Sequence, residues 1–216
     1  MRVVIAGGHG KIALILERLL AQRADSVAGF IRNPDHAADL EAAGAQPLVV
    51  DLESASVDEV ASHLDGADAV VFAAGAGPGS GAARKETVDR DAAILLADAA
   101  EAAKVSRYVM ISAMGADAEA RDGAGDPVFV AYLRAKGAAD DNVRARNGLK
   151  STIVRPGHLT DDPGTGRVQI ADNTGRGDIP RADVAAVLLA VLPLACEQTQ
   201  KSPTRRGNGA FCVFSR

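Results

Sequence analysis

The opening of the chain constrains its fold more than any other stretch, because a strand pattern runs directly into glycines and then into an amphipathic helix. Residues 2–6 are mostly apolar and rich in β-branched side chains, which indicates a buried strand. Gly7 and Gly10 suit a tight turn, and Ala13 allows the following helix to pack close to the strand. The free amides at the start of such a helix bind pyrophosphate. The sequence therefore predicts a dinucleotide-binding loop.

The spacing of this loop is Gly-x-x-Gly-x-x-Ala with Gly8 added, and it differs from the strict Gly-x-Gly-x-x-Gly fingerprint. The spacing alone does not identify a nucleotide site. Its position after a strand and before a helix supplies the structural context that the motif requires.

Apolar strand patterns alternate with amphipathic helical patterns along most of the chain. This alternation at short spacing is typical of the α/β class, with a Rossmann-like, doubly wound parallel sheet and helices on both faces. Ligands of such sheets bind at the carboxyl ends of the strands. The predicted strands are residues 2–6, 26–31, 46–50, 67–74, 107–112 and 151–154, with a closing strand at 211–214, and the predicted helices include 11–22, 84–104 and 128–146.

Length and composition favour one domain. With 216 residues, of which 47% are hydrophobic, the chain is expected to form a single nucleotide-binding domain over residues 1–216. A small substrate-side elaboration is expected around 155–180, and an atypical polar tail over 195–216. No apolar stretch is long enough to span a membrane and no signal-peptide pattern opens the chain, so a cytoplasmic protein without a membrane partner is expected.

Charge and metal-ligating residues exclude other classes of function. The net charge of −4, without a basic stripe, argues against a nucleic acid partner. The two cysteines lie near the C-terminus and the four histidines lack metal-ligand spacing, so no metal site is expected. The expected partner is a small-molecule substrate.

The end of the second strand bears on the choice of cofactor. Sites that bind NAD commonly place an acidic side chain there for the ribose hydroxyl, whereas this strand ends in Arg32 with no acid before it. A guanidinium group holds phosphate in a bidentate manner, and Asn33 offers a further donor, so NADP(H) is favoured over NAD(H). Asp51 follows the third strand, where it either meets the adenine edge or acts as an ordinary helix N-cap.

A tyrosine and a lysine supply the candidate chemistry. Tyr132 and Lys136 are four apart on one predicted helix, so both side chains project from the same face. An ammonium group beside a phenol lowers the phenol pKa, which allows proton exchange with a carbonyl or alcohol while a nicotinamide exchanges hydride. The same spacing also fits a purely structural interpretation, in which the tyrosine ring is packed and the lysine is solvated. The position of the pair between the fifth and sixth strands favours the catalytic interpretation.

Five stretches carry a family resemblance across most of residues 1–194: 3–13, 72–75, 108–112, 132–136 with 138–140, and 152–160, which contains Arg-Pro-Gly. Together they resemble the short-chain dehydrogenase/reductase superfamily, in its atypical NmrA-type NAD(P)-binding branch. Proteins of this branch are often labelled epimerase/dehydratase or flavin-reductase-like. The resemblance implies a Rossmann-like sheet, with Tyr132 as proton donor and Lys136 as the lysine that holds the ribose.

The resemblance and the motifs together assign the cofactor contacts. Arg32 is expected at the 2′-phosphate, with Asn33, Asp51 and Leu52 nearby. The other expected contacts are the glycine-loop residues Gly7, Gly8, His9, Gly10, Lys11 and Ile12, the ribose-side residues Ala73, Ala74, Gly75 and Lys136, and the nicotinamide-side residues Pro156, Gly157, His158 and Leu159.

Two features depart from the family pattern. In related sugar-nucleotide enzymes the third catalytic residue is Ser or Thr, which aligns here with Ala113, and a methyl group cannot orient a carbonyl. Ser112 is the remaining catalytic candidate, although strand alternation sends it to the side opposite residue 113. The short C-terminal region also leaves little room for the sugar-nucleotide domain of larger epimerases.

The leading hypothesis is an NADP(H)-dependent oxidoreductase acting on a small carbonyl, quinone or flavin-like substrate. The alternative is a noncatalytic NADP-binding redox sensor that acts through a protein partner, and a sugar-nucleotide epimerase or dehydratase is third. The long helices that begin near Arg84 and Val128 offer a face for a homodimer. His158 either contacts substrate or lies in a surface loop, and Asp161 is expected to be a solvated turn residue.

Overall fold

The computed structural model describes residues 1–121, 126–172, 177–193 and 209–215. Within these residues the apolar stretches form strands and the amphipathic stretches form helices. The strands are β1 Arg2–Ala6, β2 Ser26–Ile31, β3 Gln46–Val49, β4 Ala69–Phe72, β5 Arg107–Ile111, β6 Lys150–Pro156, β7 His158–Thr160, β8 Val168–Ala171, β9 Asp178–Pro180 and β10 Gly209–Ser215. The helices are α1 Lys11–Gln22, α2 Ala37–Ala42, α3 Val57–His63, α4 Ala82–Arg84, α5 Ala92–Ala102, α6 Pro127–Ala145 and α7 Arg181–Val191.

The main sheet has eight strands in the order β3-β2-β1-β4-β5-β6-β10-β8. All neighbouring pairs are parallel except β10 with β8, which is antiparallel. The predicted α/β class, the Rossmann-like parallel sheet and the closing strand are therefore confirmed. The sequence reasoning missed β8, and it missed the pair β7 and β9, because these three- and four-residue strands are too short to show a period.

The sheet buries both faces, and its first strand shows how. Val3 and Ile5 face the layer of α1, α2 and α7, whereas Val4 and Ala6 face the layer of α3, α5 and α6. All four side chains have no exposed surface. A strand covered on both sides is expected to be apolar throughout, which explains why the opening of the chain has no polar alternation.

The helix predicted over residues 84–104 is divided. A short π-helix, Lys85–Asp91, lies between α4 and α5. The extra residue per turn of a π-helix changes which side chains face the sheet, and it buries Lys85 and Asp89 beside Val88. This local change brings two charged side chains to the edge of the sheet, where the site lies.

The reversal of strand order places the site. β1 lies between β2 and β4, so the connections that leave β1 and β4 diverge at their carboxyl ends and open a crevice. None of the described helices is long and apolar enough to cross a membrane. The predicted polar tail lies outside the described residues, apart from β10.

Candidate functional site

A cleft of about 390 Å³ opens at the carboxyl ends of β1, β2, β3 and β4. Its volume falls within the range of small-molecule sites. Ten of the residues predicted to contact a cofactor line it: Gly7, His9, Gly10, Arg32, Asn33, Asp51, Leu52, Ala73, Ala74 and Gly75. The sheet therefore brings together four loops, those that follow β1, β2, β3 and β4, which the sequence had assigned separately to one nucleotide.

The glycine loop forms the floor of this cleft. Gly7 has a φ of 82°, and a Cβ atom there would lie 2.6 Å from the Cα of Ala74. The amide of Gly10 donates to the carbonyl of Gly7 at 2.9 Å, and the amide of Leu14 donates to Gly10 at 2.9 Å. Amides between these positions belong to the first turn of α1 and have no partner within the helix. This arrangement fits a pyrophosphate.

Three of the predicted loop residues, Gly8, Lys11 and Ile12, are not among the residues that line the cleft. Gly8 faces the sheet, because a Cβ atom there would lie 2.9 Å from the Cα of Gly29. Ile12 is buried in the core. Lys11 points away from the cleft residues, since its Nζ donates to Asp161 Oδ2 at 2.5 Å. Only the backbone amides of Lys11 and Ile12 remain suited to a phosphate.

The sequence predicted Asp161 to be a solvated turn residue, but in the structure it also forms two ion pairs. It accepts hydrogen bonds from Lys11 and, at 2.7 Å, from Arg181 Nη1. The hydrogen bond from Lys11 is the largest influence that holds the pKa of Asp161 below its usual range. The side chain stays exposed, so the ion pairs join the start of α1 to the start of α7 across the surface.

Arg32 lies in the cleft as predicted, but it has a partner that the sequence reasoning missed. Its Nη1 donates to Glu53 Oε2 at 2.8 Å. The same oxygen accepts from Arg84 Nη2 at 2.6 Å, and Glu53 Oε1 accepts from Thr87 Oγ1 at 2.7 Å. Hydrogen bonds from Arg84 are the largest influence that lowers the pKa of Glu53. An acid thus meets Arg32 after all, supplied by the loop that follows β3.

Two further cleft residues hold their own loops. Asn33 Oδ1 accepts from the amide of Asp35 at 3.1 Å, and Asp51 Oδ1 accepts from the amide of Glu53 at 3.0 Å. The alternative that Asp51 caps a helix is wrong, since Ser56 is the N-cap of α3. Local hydrogen bonds therefore fix the turns at 32–35 and 51–53, which border the end of the cleft where the sequence predicts the adenosine, the adenosine end.

His9 stands at the mouth of the cleft beside a second histidine. Its ring stacks on that of His36, with centroids 3.6 Å apart and planes 12° from parallel. His9 Nε2 lies 2.8 Å from Asp39 Oδ2. The sequence had assigned only His9, because stacking depends on how α2 folds back onto the glycine loop.

Lys136 is not among the residues that line the cleft, but it lies next to one of them. Its side chain is 4% exposed, and its Nζ lies 3.2 Å from Asp89 Oδ1. It also donates to the carbonyl of Ile111 at 3.2 Å and lies 3.5 Å from the carbonyl of Ala74, a cleft residue. Asp89 was missed, although an acid beside Val88 on the apolar side of a helix is a signal that could have found it.

Tyr132 is half-buried on α6, one turn before Lys136, and Lys85 Nζ lies 5.5 Å from the centre of its ring. Burial raises its pKa above the usual value, and the carboxylates of Asp89 and Asp140 raise it further. The predicted lowering of this pKa by Lys136 is therefore wrong here. Lys136 Nζ lies near the Asp89 carboxylate and two carbonyl oxygens. The negative charge of Asp89 offsets the positive charge that was expected to lower the pKa of Tyr132.

Ser112 is buried and is absent from the lining of the cleft. Its hydroxyl faces Asp140, whose pKa is raised by burial and lowered in part by Ser112 and Arg155. Arg155 Nη2 and Asp140 Oδ2 are 2.7 Å apart. These contacts assign Ser112 to a buried polar cluster between β5, β6 and α6. Ala113 follows with 8% exposure and no hydroxyl.

The residues that were predicted to contact the nicotinamide, Pro156, Gly157, His158 and Leu159, lie outside the cleft lining. Pro156 pairs with Val213 in the sheet, and the amide of Gly157 donates to Val213 at 3.0 Å. The His158 side chain is 79% exposed, with Nδ1 3.2 Å from Asp178 Oδ1. Leu159 packs against the core of the α1 layer. None of the four lines the cleft of the described residues.

Comparisons with known proteins agree with this geometry. The profile of a family described as NAD(P)H-binding matches residues 7–193. A Bacillus subtilis protein named as an uncharacterized sugar epimerase is 37% identical over 194 residues, which cover 89% of this chain and 88% of that protein. A Saccharomyces cerevisiae UPF0659 protein is 35% identical over 201 residues, with 89% and 87% covered.

The chain belongs to the NAD(P)H-binding family. Its fold also matches solved structures, and the resemblance to the NmrA-type branch is confirmed. A Bacillus halodurans protein provisionally described as an NAD-dependent epimerase/dehydratase superimposes with a TM-score of 0.84 at 31% identity, covering 100% of this chain and 94% of that one. The anaerobilin reductase ChuY from Escherichia coli O157:H7 has a TM-score of 0.78 at 22% identity, with 100% and 97% covered, and shares the fold.

The cleft residues of this NAD(P)H-binding protein fit a nicotinamide dinucleotide. The glycine loop offers amides without room for a side chain at Gly7, which suits a pyrophosphate. Two arginines at the other end suit a ribose bearing phosphate or hydroxyl groups. Lys136 Nζ lies 3.5 Å from the carbonyl of Ala74, one of the lining residues, and Tyr132 precedes Lys136 by one turn on α6.

Proposed function

We propose that this NAD(P)H-binding protein is an NADP(H)-dependent oxidoreductase that acts on a small carbonyl, quinone or flavin-like substrate. The observation that carries the proposal is the position of Lys136, buried on α6 and 3.5 Å from the carbonyl of the cleft residue Ala74. It brings the helix that bears Tyr132 to the border of the nucleotide cleft. The reductase names of several fold relatives are compatible with this activity.

The bound nicotinamide would supply or accept a hydride. Around it, Lys136 would donate hydrogen bonds to the ribose hydroxyls, and Asp89 would hold the lysine in place, 3.2 Å from Nζ. Tyr132 would deliver its phenolic proton to the substrate oxygen that gains charge. With its raised pKa the phenol of Tyr132 is protonated at neutral pH, as a proton donor must be, but it is a weaker acid than an ordinary phenol.

The proposed preference for NADP(H) rests on charge. Arg32 and Arg84 both line the adenosine end, and among the described residues Glu53 is the carboxylate that pairs with both of them. Among the described contacts Arg32 uses Nη1 alone, so Nε and Nη2 remain as donors for a 2′-phosphate.

Calorimetric titration with NADPH and NADH tests the cofactor site first. We expect NADPH to bind more tightly, and we expect Arg32→Ala to remove most of that preference while it changes NADH affinity little. Failure of the wild-type protein to bind either nucleotide would refute the proposed function.

A substrate screen with Tyr132→Phe then tests the chemistry. We expect turnover to fall by about 100-fold or more, with NADPH affinity unchanged. Tyr108→Phe is the matched control, because the Tyr108 hydroxyl is buried in the core and donates to the carbonyl of Ala93 at 2.9 Å. Equal turnover in wild type and Tyr132→Phe for every accepted substrate would exclude Tyr132 as the donor.

A noncatalytic NADP-binding redox sensor is the second candidate, and one observation favours it. The family resemblance aligns Ala113 with the usual catalytic Ser or Thr, and Ser112 is buried beside Asp140 and is not among the residues that line the cleft. A sensor would bind NADPH, turn over no substrate and bind a protein partner differently in the presence of NADP⁺ and NADPH. A partner affinity that is the same in the presence of NADP⁺ and of NADPH would exclude this candidate. The names of the two Bacillus relatives make a sugar-nucleotide epimerase the third candidate.

A further inference from the structure

One carboxylate controls the arginines at the adenosine end of the cleft. Glu53 lies in the loop between β3 and α3, and its side chain is 24% exposed. Its Oε2 lies 2.8 Å from Arg32 Nη1 and 2.6 Å from Arg84 Nη2, so one oxygen receives both guanidinium groups. Oε1 accepts from Thr87 Oγ1 at 2.7 Å and lies 3.4 Å from Arg84 Nε. The carboxylate is thus held from β2, from α4 and from the π-helix.

This position gives Glu53 two opposing interactions with a ribose that carries either a hydroxyl or a phosphate. A carboxylate oxygen accepts a hydrogen bond from a 2′-hydroxyl, whereas it repels a 2′-phosphate. The hydrogen bonds from Arg84 and Thr87 lower the pKa of Glu53, so it is ionised across the neutral range. Both arginines that attract a phosphate are already partly neutralised by the same group.

The balance of fixed charge at this end follows from these contacts. Arg32 and Arg84 contribute two positive charges, and Glu53 removes one of them. Asp51, also in the cleft lining, adds a second negative charge nearby. A 2′-phosphate would therefore meet a weaker field than the two arginines alone would produce.

We propose that Glu53 is a specificity-determining residue that sets the ratio of NADPH to NADH affinity by occupying Arg32 and Arg84. This inference rests on the proposed nucleotide site. With its carboxylate present, both nucleotides bind, NADH through the 2′-hydroxyl and NADPH through the arginine donors that Glu53 leaves free. Removal of its charge releases both guanidinium groups for phosphate and removes the repulsion.

The test is calorimetric titration of the full chain with NADPH, NADH, 2′,5′-ADP and ADP. Gln replaces Glu with the same shape and no charge, so Glu53→Gln isolates the electrostatic effect. We expect it to raise the ratio of NADPH to NADH affinity by about tenfold or more, which corresponds to about 1.4 kcal/mol. The ratio for 2′,5′-ADP over ADP should rise in parallel, because the nicotinamide is absent from both probes.

Two further variants and a folding measurement separate a change in nucleotide binding from a loss of the folded structure. Glu59→Gln on α3 is the matched control, since Glu59 is exposed and absent from the cleft lining. Arg84→Gln should lower NADPH affinity by about tenfold and NADH affinity less. Thermal melting of each variant checks that the fold is retained.

The outcomes separate this inference from the function on which it rests. If wild type binds neither nucleotide, the nucleotide site and the Glu53 inference are both refuted. If wild type binds and Glu53→Gln leaves the ratio of NADPH to NADH affinity unchanged, only the role of Glu53 is refuted. The same holds if Glu53→Gln lowers this ratio because the arginines need Glu53 to hold them in place. A raised ratio in Glu53→Gln, with Glu59→Gln equal to wild type, supports the inference.

Discussion

Glu17 makes the stability of this protein depend on pH in a range where few residues titrate. It lies on the buried side of α1 with no exposed surface, and neither carboxyl oxygen has a hydrogen-bond partner among the described residues. A Cβ atom at Gly8 would lie 3.1 Å from its Oε1, and one at Gly29 would lie 2.8 Å away. The carboxyl group therefore fills the space left by two glycines, Gly8 of the glycine loop and Gly29 of β2. Burial raises its pKa from 4.5 to about 8, against a small opposing effect of Arg18.

The magnitude follows from the difference between the folded and unfolded pKa. Below pH 4.5 the group is protonated in both states and adds no pH dependence. As pH rises, the unfolded chain loses the proton first while the folded protein keeps it, so the free energy of unfolding falls by about 1.4 kcal/mol per pH unit. Above about pH 8 both states are ionised and the loss is complete. The full loss is about 5 kcal/mol as an upper value, a large part of a typical stability.

Urea unfolding of wild type and Glu17→Gln between pH 5 and pH 9 measures this effect. Gln keeps the shape of the protonated acid, so the two proteins should have similar stabilities near pH 5. By pH 8.5 the variant should be more stable by several kcal/mol. Glu41→Gln on α2 is the control, because Glu41 is exposed and its variant should follow the wild-type curve. Parallel curves for wild type and Glu17→Gln across this range would refute the assignment of a buried, neutral Glu17.

Three further predictions concern the site. Gly7→Ala places a Cβ 2.6 Å from the Cα of Ala74 at a residue with a positive φ, so it should abolish nucleotide binding in calorimetry. Gly66→Ala is the control, because Gly66 also has a positive φ but its Cβ would have no atom within 4 Å. This control should cost only about 1 kcal/mol of stability and leave nucleotide binding intact. Asp89→Ala should destabilise the protein by about 3–5 kcal/mol in urea unfolding, because it leaves the buried Lys136 without its carboxylate. Asp91→Ala, at an exposed carboxylate in the same segment, should cost less than about 1 kcal/mol, and equal effects would contradict the buried pair. Ser112→Ala should change the turnover of any accepted substrate by less than about tenfold, since its hydroxyl belongs to the Asp140 cluster; a loss as large as that in Tyr132→Phe would restore Ser112 as a catalytic candidate.

Residues that act within one turn or one loop could be predicted from the sequence. The path from β1 through Gly7 and Gly10 into α1 follows from β-branched residues, glycine conformations and helix periodicity, all of which are local. The six main parallel strands were predicted for the same reason, with ends that differ by a few residues. The short strands β7, β8 and β9 were not, because three or four residues carry too little pattern.

Pairings between distant segments were decided by the tertiary structure. The lack of an acid at the end of β2 was evident in the sequence, but the sheet brings Glu53 to Arg32 from 21 residues away. In the same way the π-helix brings Asp89 to Lys136 and thereby offsets the charge that the sequence reasoning had assigned to activating Tyr132. Burial then raised the pKa of that tyrosine instead of lowering it.

The sequence by itself determined that this chain forms a parallel α/β sheet with a glycine loop for a dinucleotide, because those features depend on residues close together in the chain. Only the tertiary structure decided which charges face one another around that loop. Strand order and helix packing set the separations between Arg32, Glu53 and Arg84, and between Lys136 and Asp89. Since electrostatic energies depend on those separations and on burial, the protonation states and the balance of charge in the site follow from the fold.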